Sequence, residues 1–226
     1  MNAQLPSTGA HGAQSANNGA HRVFLLRHGQ TEWSQSGQHT GRTDVPLTDA
    51  GRRQARALRP LLEGFSLDDP LVLASPRKRA VDTADLAGLA VAQTTEDLAE
   101  WDYGDYEGRT TEDIRIEVAG WTVWTHPCPG GETASSVQRR ADAVLARALE
   151  HTAERDVVLA GHGHFSRALV ARWVSLGVSH GIHFGMSPGA LAVLGHEHGR
   201  RQVAALNVAA LNVAALDVAA PAKPTS

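Results

Sequence analysis

The chain has 226 residues, 42% of them hydrophobic and 20% charged, with a formal net charge of −3. That balance fits one globular domain with a core of its own and excludes a fibrous or wholly disordered protein. The slightly acidic total argues against nucleic acid, which selects for a basic footprint; with no apolar run near the roughly 20 residues that span a bilayer and no basic-then-apolar start, neither membrane nor secretion is expected.

Residues 1–20 are rich in Gly, Ala, Asn, Gln and Ser without hydrophobic period, and read as a disordered leader. The folded domain is expected over 21–208. Val23-Phe24-Leu25-Leu26 is a short apolar run that suits a buried strand. Residues 49–62 read as a helix capped by Thr48 and ending near Gly64, with Leu58, Leu61 and Leu62 on one side; Pro60 predicts a kink or an early stop. Leu71-Val72-Leu73-Ala74 is a second buried strand, followed by a helix over about 78–88.

The clearest helix covers 133–151, where Val137, Ala141, Val144, Leu145, Ala148 and Leu149 make one apolar stripe. Asp156 to Ala160 is a third buried strand, running through Gly161-His162-Gly163 into a helix over about 164–176. Ala190 to Leu194 and Gln202 to Val208 read as late strands. Leu-Asn/Asp-Val-Ala-Ala then recurs to Ala220 with a period of five, which matches neither helix nor strand, so 209–226 is expected to be a low-complexity tail whose first copy extends a strand. Buried strands joined by helices predict an α/β domain with helices on both faces of a mostly parallel sheet.

Cys128, the single cysteine, allows no intrachain disulfide and fits a reducing cytoplasm. In Pro127-Cys128-Pro129 it is read as a small side chain in a turn rather than a reactive thiol.

In open α/β sheets ligands bind at the carboxyl ends of the strands. Arg27-His28-Gly29 follows the first strand, Ser75 to Arg79 the second, and Gly161-His162-Gly163-His164 the third. Neutral imidazole is a good nucleophile, so His28 is placed to attack phosphorus. Arg27 can neutralise phosphoryl oxygens with a planar fork of donors, and Gly29 would let the backbone approach the phosphate. Arg79, opening a helix, and His162, flanked by glycines, would stabilise the charge of a transferring phosphoryl group. A leaving alcohol needs a proton. Glu100 can supply it, kept protonated part of the time by burial against Trp101 and Tyr103; Asp97, Asp102, Asp105 and Glu107 are rivals that chemistry alone does not remove.

These motifs resemble the histidine phosphatase superfamily, the phosphoglycerate mutase-like proteins, in order over about residues 21–208. Leu26 to Trp33 is similar to the nucleophile motif, and Thr40 to Thr48 to the segment whose Thr-Gly pair contacts phosphate. Ser75 to Thr83 resembles the segment in which the later arginine, here Arg79 rather than Arg77, binds the phosphoryl group. Glu100 with Tyr103-Gly104 looks like the acid segment, and His162-Gly163 with Arg167-Ala168-Leu169 like the second histidine motif. The resemblance implies a three-layer α/β/α sandwich and a phosphohistidine formed without metal or cofactor. It makes His28, Arg27, Arg79, Glu100 and His162 the catalytic set and Ser34, Thr40, Gly41, Tyr103, Gly163 and His164 the substrate-binding set.

Ser34 and His164 stand where the mutases carry asparagine, the stretch between Glu100 and His162 is shorter than theirs, and Arg109 and Arg115 are isolated where they have an arginine pair. With a reduced lid hydrolysis should win, so a small phosphorylated substrate and a phosphomonoesterase are expected in preference to a mutase. A homodimer is expected by analogy only. Trp33, Trp121, Trp124 and Tyr106 are expected as pocket walls favouring a larger, partly apolar leaving group. His162-Gly163-His164 and His196-Glu197-His198 leave a metal-binding protein as the rival, although the second pair reads more simply as a solvated turn. A non-catalytic phosphate binder on the same fold is the other rival.

Overall fold

The computed structural model describes residues 21–67 and 69–209; the expected leader and tail lie outside them. Six strands form one sheet: β1 (Val23–Arg27), β2 (Leu71–Ala74), β3 (Gln93–Thr94), β4 (Val157–Gly161), β5 (Leu191–Glu197) and β6 (Arg200–Val208). Their order is β3-β2-β4-β1-β5-β6. The first four are mutually parallel, while β5 runs antiparallel to both β1 and β6. The helices are α1 (Glu32–Ser36), α2 (Asp49–Gly64), α3 (Lys78–Leu86), α4 (Thr111–Glu117), α5 (Ala134–His151) and α6 (Gly163–Trp173).

Side chains alternate across a strand, and the two cores follow that alternation. Val23 and Leu25 of β1, with Val157 and Leu159 of β4, pack with Val137, Ala141, Val144 and Leu145 of α5 and with Phe165 and Leu169 of α6. Phe24 and Leu26, with Val158 and Ala160, pack instead with Leu58 and Leu62 of α2 and Ala84 of α3. The sheet therefore lies between two helical layers, as expected, and its central strands are apolar on both faces because neither face meets water.

The departures have local causes. Helix α2 makes no early stop at Pro60 and continues to Gly64. Pro60 and Arg56, whose carbonyl loses its amide partner, are both exposed, while buried Leu58 and Leu62 keep the helix on the sheet. Helix α6 ends at Trp173, short of 176, and Ser175 follows in the left-handed region at φ 63°. The first repeat copy does close β6 at Val208, and the Asn207 side chain accepts a hydrogen bond from the Ser187 amide at 2.6 Å.

Candidate active site

The ends of β1, β2 and β4 meet on one edge of the sheet. The His28 amide donates to the Gly161 carbonyl at 3.0 Å, and the His28 carbonyl accepts from the Gly189 amide at 3.0 Å, so its backbone is held on both sides. Packing alone already requires Gly29: a Cβ there would sit 2.3 Å from the Gly51 carbonyl oxygen at the start of α2.

The His28 ring is buried and its Nδ1 lies 2.7 Å from the Gly29 carbonyl oxygen. A carbonyl only accepts, so Nδ1 carries the proton and Nε2 keeps its lone pair. The His162 ring stands edge-on to it, centroids 5.2 Å apart, with its own Nε2 2.8 Å from the Ser75 hydroxyl. If Ser75 donates, the proton of His162 is on Nδ1, which is buried without a partner among the described residues, as are Nε of Arg27 and Nε of Arg79.

Arg79 is fully buried, its fork donating to the carbonyls of Thr43 at 2.8 Å and Thr40 at 3.1 Å. Arg27 donates to the Met186 carbonyl and lies along Gly163, where a Cβ would come within 2.9 Å of the guanidinium carbon. Gly163 thus makes room for Arg27. Arg77 turns away to pair with Glu96 at 3.1 Å.

Glu100 joins two parts of the site. Its Oε1 accepts from the amides of Trp101 at 2.9 Å and Phe165 at 2.7 Å, and its Oε2 from the His164 amide at 2.9 Å. Two of those donors are first-turn amides of α6, whose N-cap residue, His162, makes no side-chain cap bond. Glu100 is therefore the cap of that helix, where a negative group is favoured. The expected apolar cage is replaced by amides: Trp101 contacts the carboxylate through its backbone. Of the five candidate carboxylates, Glu100 alone lines the pocket. Glu107 holds the amides of Gly41 and Thr43, and Asp102 pairs with Arg42.

The pocket encloses about 250 Å³ and opens beside His28 and Arg27. Of the residues expected to bind substrate, Ser34, Thr40, Tyr103, Gly163 and His164 line it, but Gly41 does not, its amide being spent on Glu107 at 2.9 Å. Ser34 is also committed locally, its hydroxyl and the Thr31 hydroxyl forming the capping box of α1. Arg79 and His162 lie sealed beside His28 rather than on the pocket surface.

Trp33 and Tyr106 are not walls. Trp121 and Trp124 line an adjoining hollow of about 260 Å³, which shares His39, Thr111 and His164 with the pocket. The Tyr103 hydroxyl lies 2.6 Å from Nδ1 of His164, and the His39 ring packs on Tyr103.

His39, Gln38, Thr111 and Arg167 line the pocket without having been singled out as binding residues. Thr111 was within reach, because Thr110-x-x-Asp113 is a capping-box signature that announces α4. His39 carries no such signal. Among the described residues no cluster of three or more His, Cys, Asp or Glu is placed to hold a metal ion. His196 packs edge-on to Trp173, and His198 sits in the β5–β6 turn. Burial, with Asp102 and Glu132 adding, pushes the Cys128 thiol up to about 12, so it is no nucleophile near neutral pH.

Burial is the first cause that holds His28 and His162 well below the ordinary histidine value of 6.5, and the Arg79 charge is the second. Burial also lowers His164, and brings His39 to about 4. These four rings are neutral at pH 7. Below 6.5 the unfolded chain takes up protons that the folded chain refuses, so stability falls with pH by about 1.4 kcal/mol per unit for each such ring. For His39 the window runs from 6.5 down to about 4. Thermal melts from pH 7 to 4.5 should show a steep fall in Tm, less steep in His39→Gln; a flat profile would contradict the buried neutral rings.

A profile of the histidine phosphatase superfamily (branch 1) matches residues 23–209. An acid phosphatase of Mycobacterium tuberculosis is 54% identical over 186 residues, 82% of this chain and 92% of that protein. A sedoheptulose 1,7-bisphosphatase of Saccharomyces cerevisiae is 35% identical over 187 residues, 70% of this chain and 69% of that protein. The solved structure of a functionally characterised open reading frame of Mycobacterium tuberculosis superposes with a TM-score of 0.83 at 53% identity, covering 84% of this chain and 98% of that one. No helix among the described residues is long and apolar enough to cross a membrane.

Proposed function

We propose, from the premise that this chain belongs to the histidine phosphatase superfamily (branch 1), that it hydrolyses small phosphomonoesters through a phosphohistidine at His28. The observation that carries the reading is the free Nε2 of a neutral, buried imidazole near three buried nitrogens without a partner among the described residues, Nε of Arg27, Nε of Arg79 and Nδ1 of His162, the last an N–H when Ser75 donates to the ring. The resemblance to an acid phosphatase along most of both chains supports it.

In the first step the Nε2 lone pair attacks phosphorus as the bond to the leaving oxygen breaks, and that oxygen takes a proton from Glu100. Arg27 meets the phosphoryl oxygens from the pocket wall, and Arg79 and His162, sealed beside His28 in this structure, turn their free N–H groups to them as phosphate enters. Oε1 of Glu100 already accepts two N–H donors and Oε2 one, so the open lone pair that takes and gives the proton is on Oε2; the three amides favour the carboxylate, so the proton must arrive with the substrate. In the second step water attacks phosphorus, gives its proton back to Glu100, and the P–N bond returns its electron pair to Nε2. Alcohol and inorganic phosphate leave, and no metal takes part.

Small leaving groups fit the pocket itself; larger ones reach the hollow beside Trp121 and Trp124. A cytoplasmic homodimer with no nucleic-acid or membrane partner completes the proposal. Phosphate release over a panel of phosphomonoesters, with and without excess chelator, tests it. Phosphate should appear equally in both, and from 3-phosphoglycerate without 2-phosphoglycerate. Chelator-sensitive release, or isomerisation in place of release, would overturn it.

A further inference from the structure

We infer that Arg140, paired with Glu132, is a positioning residue that holds the segment carrying Glu100 so that its carboxylate meets the leaving oxygen; the inference rests on the reading of Glu100 as the acid. Arg140 lies on α5, and its guanidinium makes a two-point pair with Glu132, Nε to Oε1 at 3.0 Å and Nη2 to Oε2 at 2.6 Å. The remaining donors point at the acid segment: Nη1 donates to the carbonyls of Asp97 at 3.0 Å and Ala99 at 2.7 Å, and Nη2 reaches the Glu100 carbonyl at 3.4 Å.

Glu132 closes the other side. Its carbonyl accepts from the Trp101 indole at 3.1 Å, and its Oε2 from the Asp102 amide at 3.1 Å. The turn before it is zipped onto the same segment, since the Glu132 amide donates to the Asp102 carbonyl at 2.9 Å and the Asp105 amide to Pro129 at 2.8 Å. A Cβ on Gly131 would lie 2.3 Å from the Asp102 oxygen, so this approach requires a glycine. Finally the guanidinium stacks 3.9 Å over the ring of Phe165, the residue whose amide binds Oε1 of Glu100.

One cation therefore touches both halves of the carboxylate's setting, the backbone that bears it and the helix turn that receives it. A planar fork is required, because a lysine cannot serve three carbonyls and a two-point carboxylate together. Arg140 and Glu132 do not line the pocket. Their effect on turnover must pass through the segments they hold, and the leaving-group dependence singles out Glu100 among them.

The test is the dependence of kcat/KM on the leaving group, because kcat/KM reports transfer to His28 whichever step limits kcat. 4-Nitrophenol departs without help, whereas the alkoxide of glycerol 3-phosphate needs the proton. Arg140→Met should lower kcat/KM for glycerol 3-phosphate by about 10–100-fold and for 4-nitrophenyl phosphate by less than about 3-fold, with Arg140→Lys in between. Glu100→Gln should show the same selectivity more strongly, and the double variant Glu100→Gln/Arg140→Met should lose nothing beyond Glu100→Gln. Should Arg140→Met fail to fold by circular dichroism, Arg140→Lys and Glu132→Gln carry the same comparison. Equal losses on both substrates, no loss, or additive losses in the double variant would overturn the positioning role while Glu100→Gln stays selective. A Glu100→Gln enzyme without selectivity would overturn the acid assignment itself.

Discussion

His28→Ala is expected to lose at least about a thousandfold in kcat for every phosphomonoester while keeping the wild-type fold. The effect is large because the ring next to it and the one thiol cannot take over. The neighbouring ring, His162, has Nε2 tied to Ser75 and is fully buried. Cys128 is a buried thiol held far above neutral pH. The stability cost should be small, because the ring's one hydrogen bond is to the carbonyl of the adjacent Gly29, and the backbone of residue 28 is held by Gly161 and Gly189 whatever the side chain. Circular dichroism and a melt alongside phosphate release separate the two. Substantial residual hydrolysis by a folded variant would show that another nucleophile, or water directly, does the work.

Arg79→Met should be nearly as damaging, with kcat/KM down by about 10²–10³-fold. The substitution removes a buried cation from the phosphoryl site and the fork that holds the Thr40 and Thr43 carbonyls, which costs about 1–3 kcal/mol of stability. It also carries a signed pH effect. After burial, the Arg79 charge is the largest influence that lowers His28, so its removal raises that ring's pKa. The nucleophile must be neutral. The acid limb of kcat/KM should therefore move to higher pH in Arg79→Met and move less in Arg79→Lys, which keeps the charge but not the fork. An unmoved limb would mean that the guanidinium does not face the imidazole.

Much of this site could be read along the chain, because its principal residues sit just past apolar runs that can only be buried strands. Val23 to Leu26, Leu71 to Ala74 and Val157 to Ala160 declare themselves through burial on both faces, and the polar residues after them meet on one edge by topology. What stayed hidden depends on partners far along the chain. Strand β3 is two exposed residues, Gln93 and Thr94, that become a strand only by pairing with Leu73 and Ala74. Gly41 looked free for phosphate until folding brought Glu107 to its amide. Glu100 was chosen by motif, but its role as cap of α6 needs a contact 64 residues away. Arg140 is one more charge on a helix, and its hold on the acid segment spans about 40 residues, with Ala99 41 positions away. Trp33, in the short helix α1, and Tyr106, in a helical turn, misled because an aromatic in so short an element carries no sign of whether it faces a pocket or the protein.

The account stands on transfer of the phosphoryl group to one imidazole nitrogen, and that can be observed directly. Wild-type and Glu100→Gln enzyme, mixed rapidly with 4-nitrophenyl phosphate and quenched in alkali, should each yield one phosphorylated peptide containing His28, with more in the variant because its intermediate waits for a base. The modification should be lost in acid, as an N–P bond requires, and be missing from His28→Ala. A phosphoryl group on any other residue, or none in the variant while nitrophenol is still released, would contradict the mechanism.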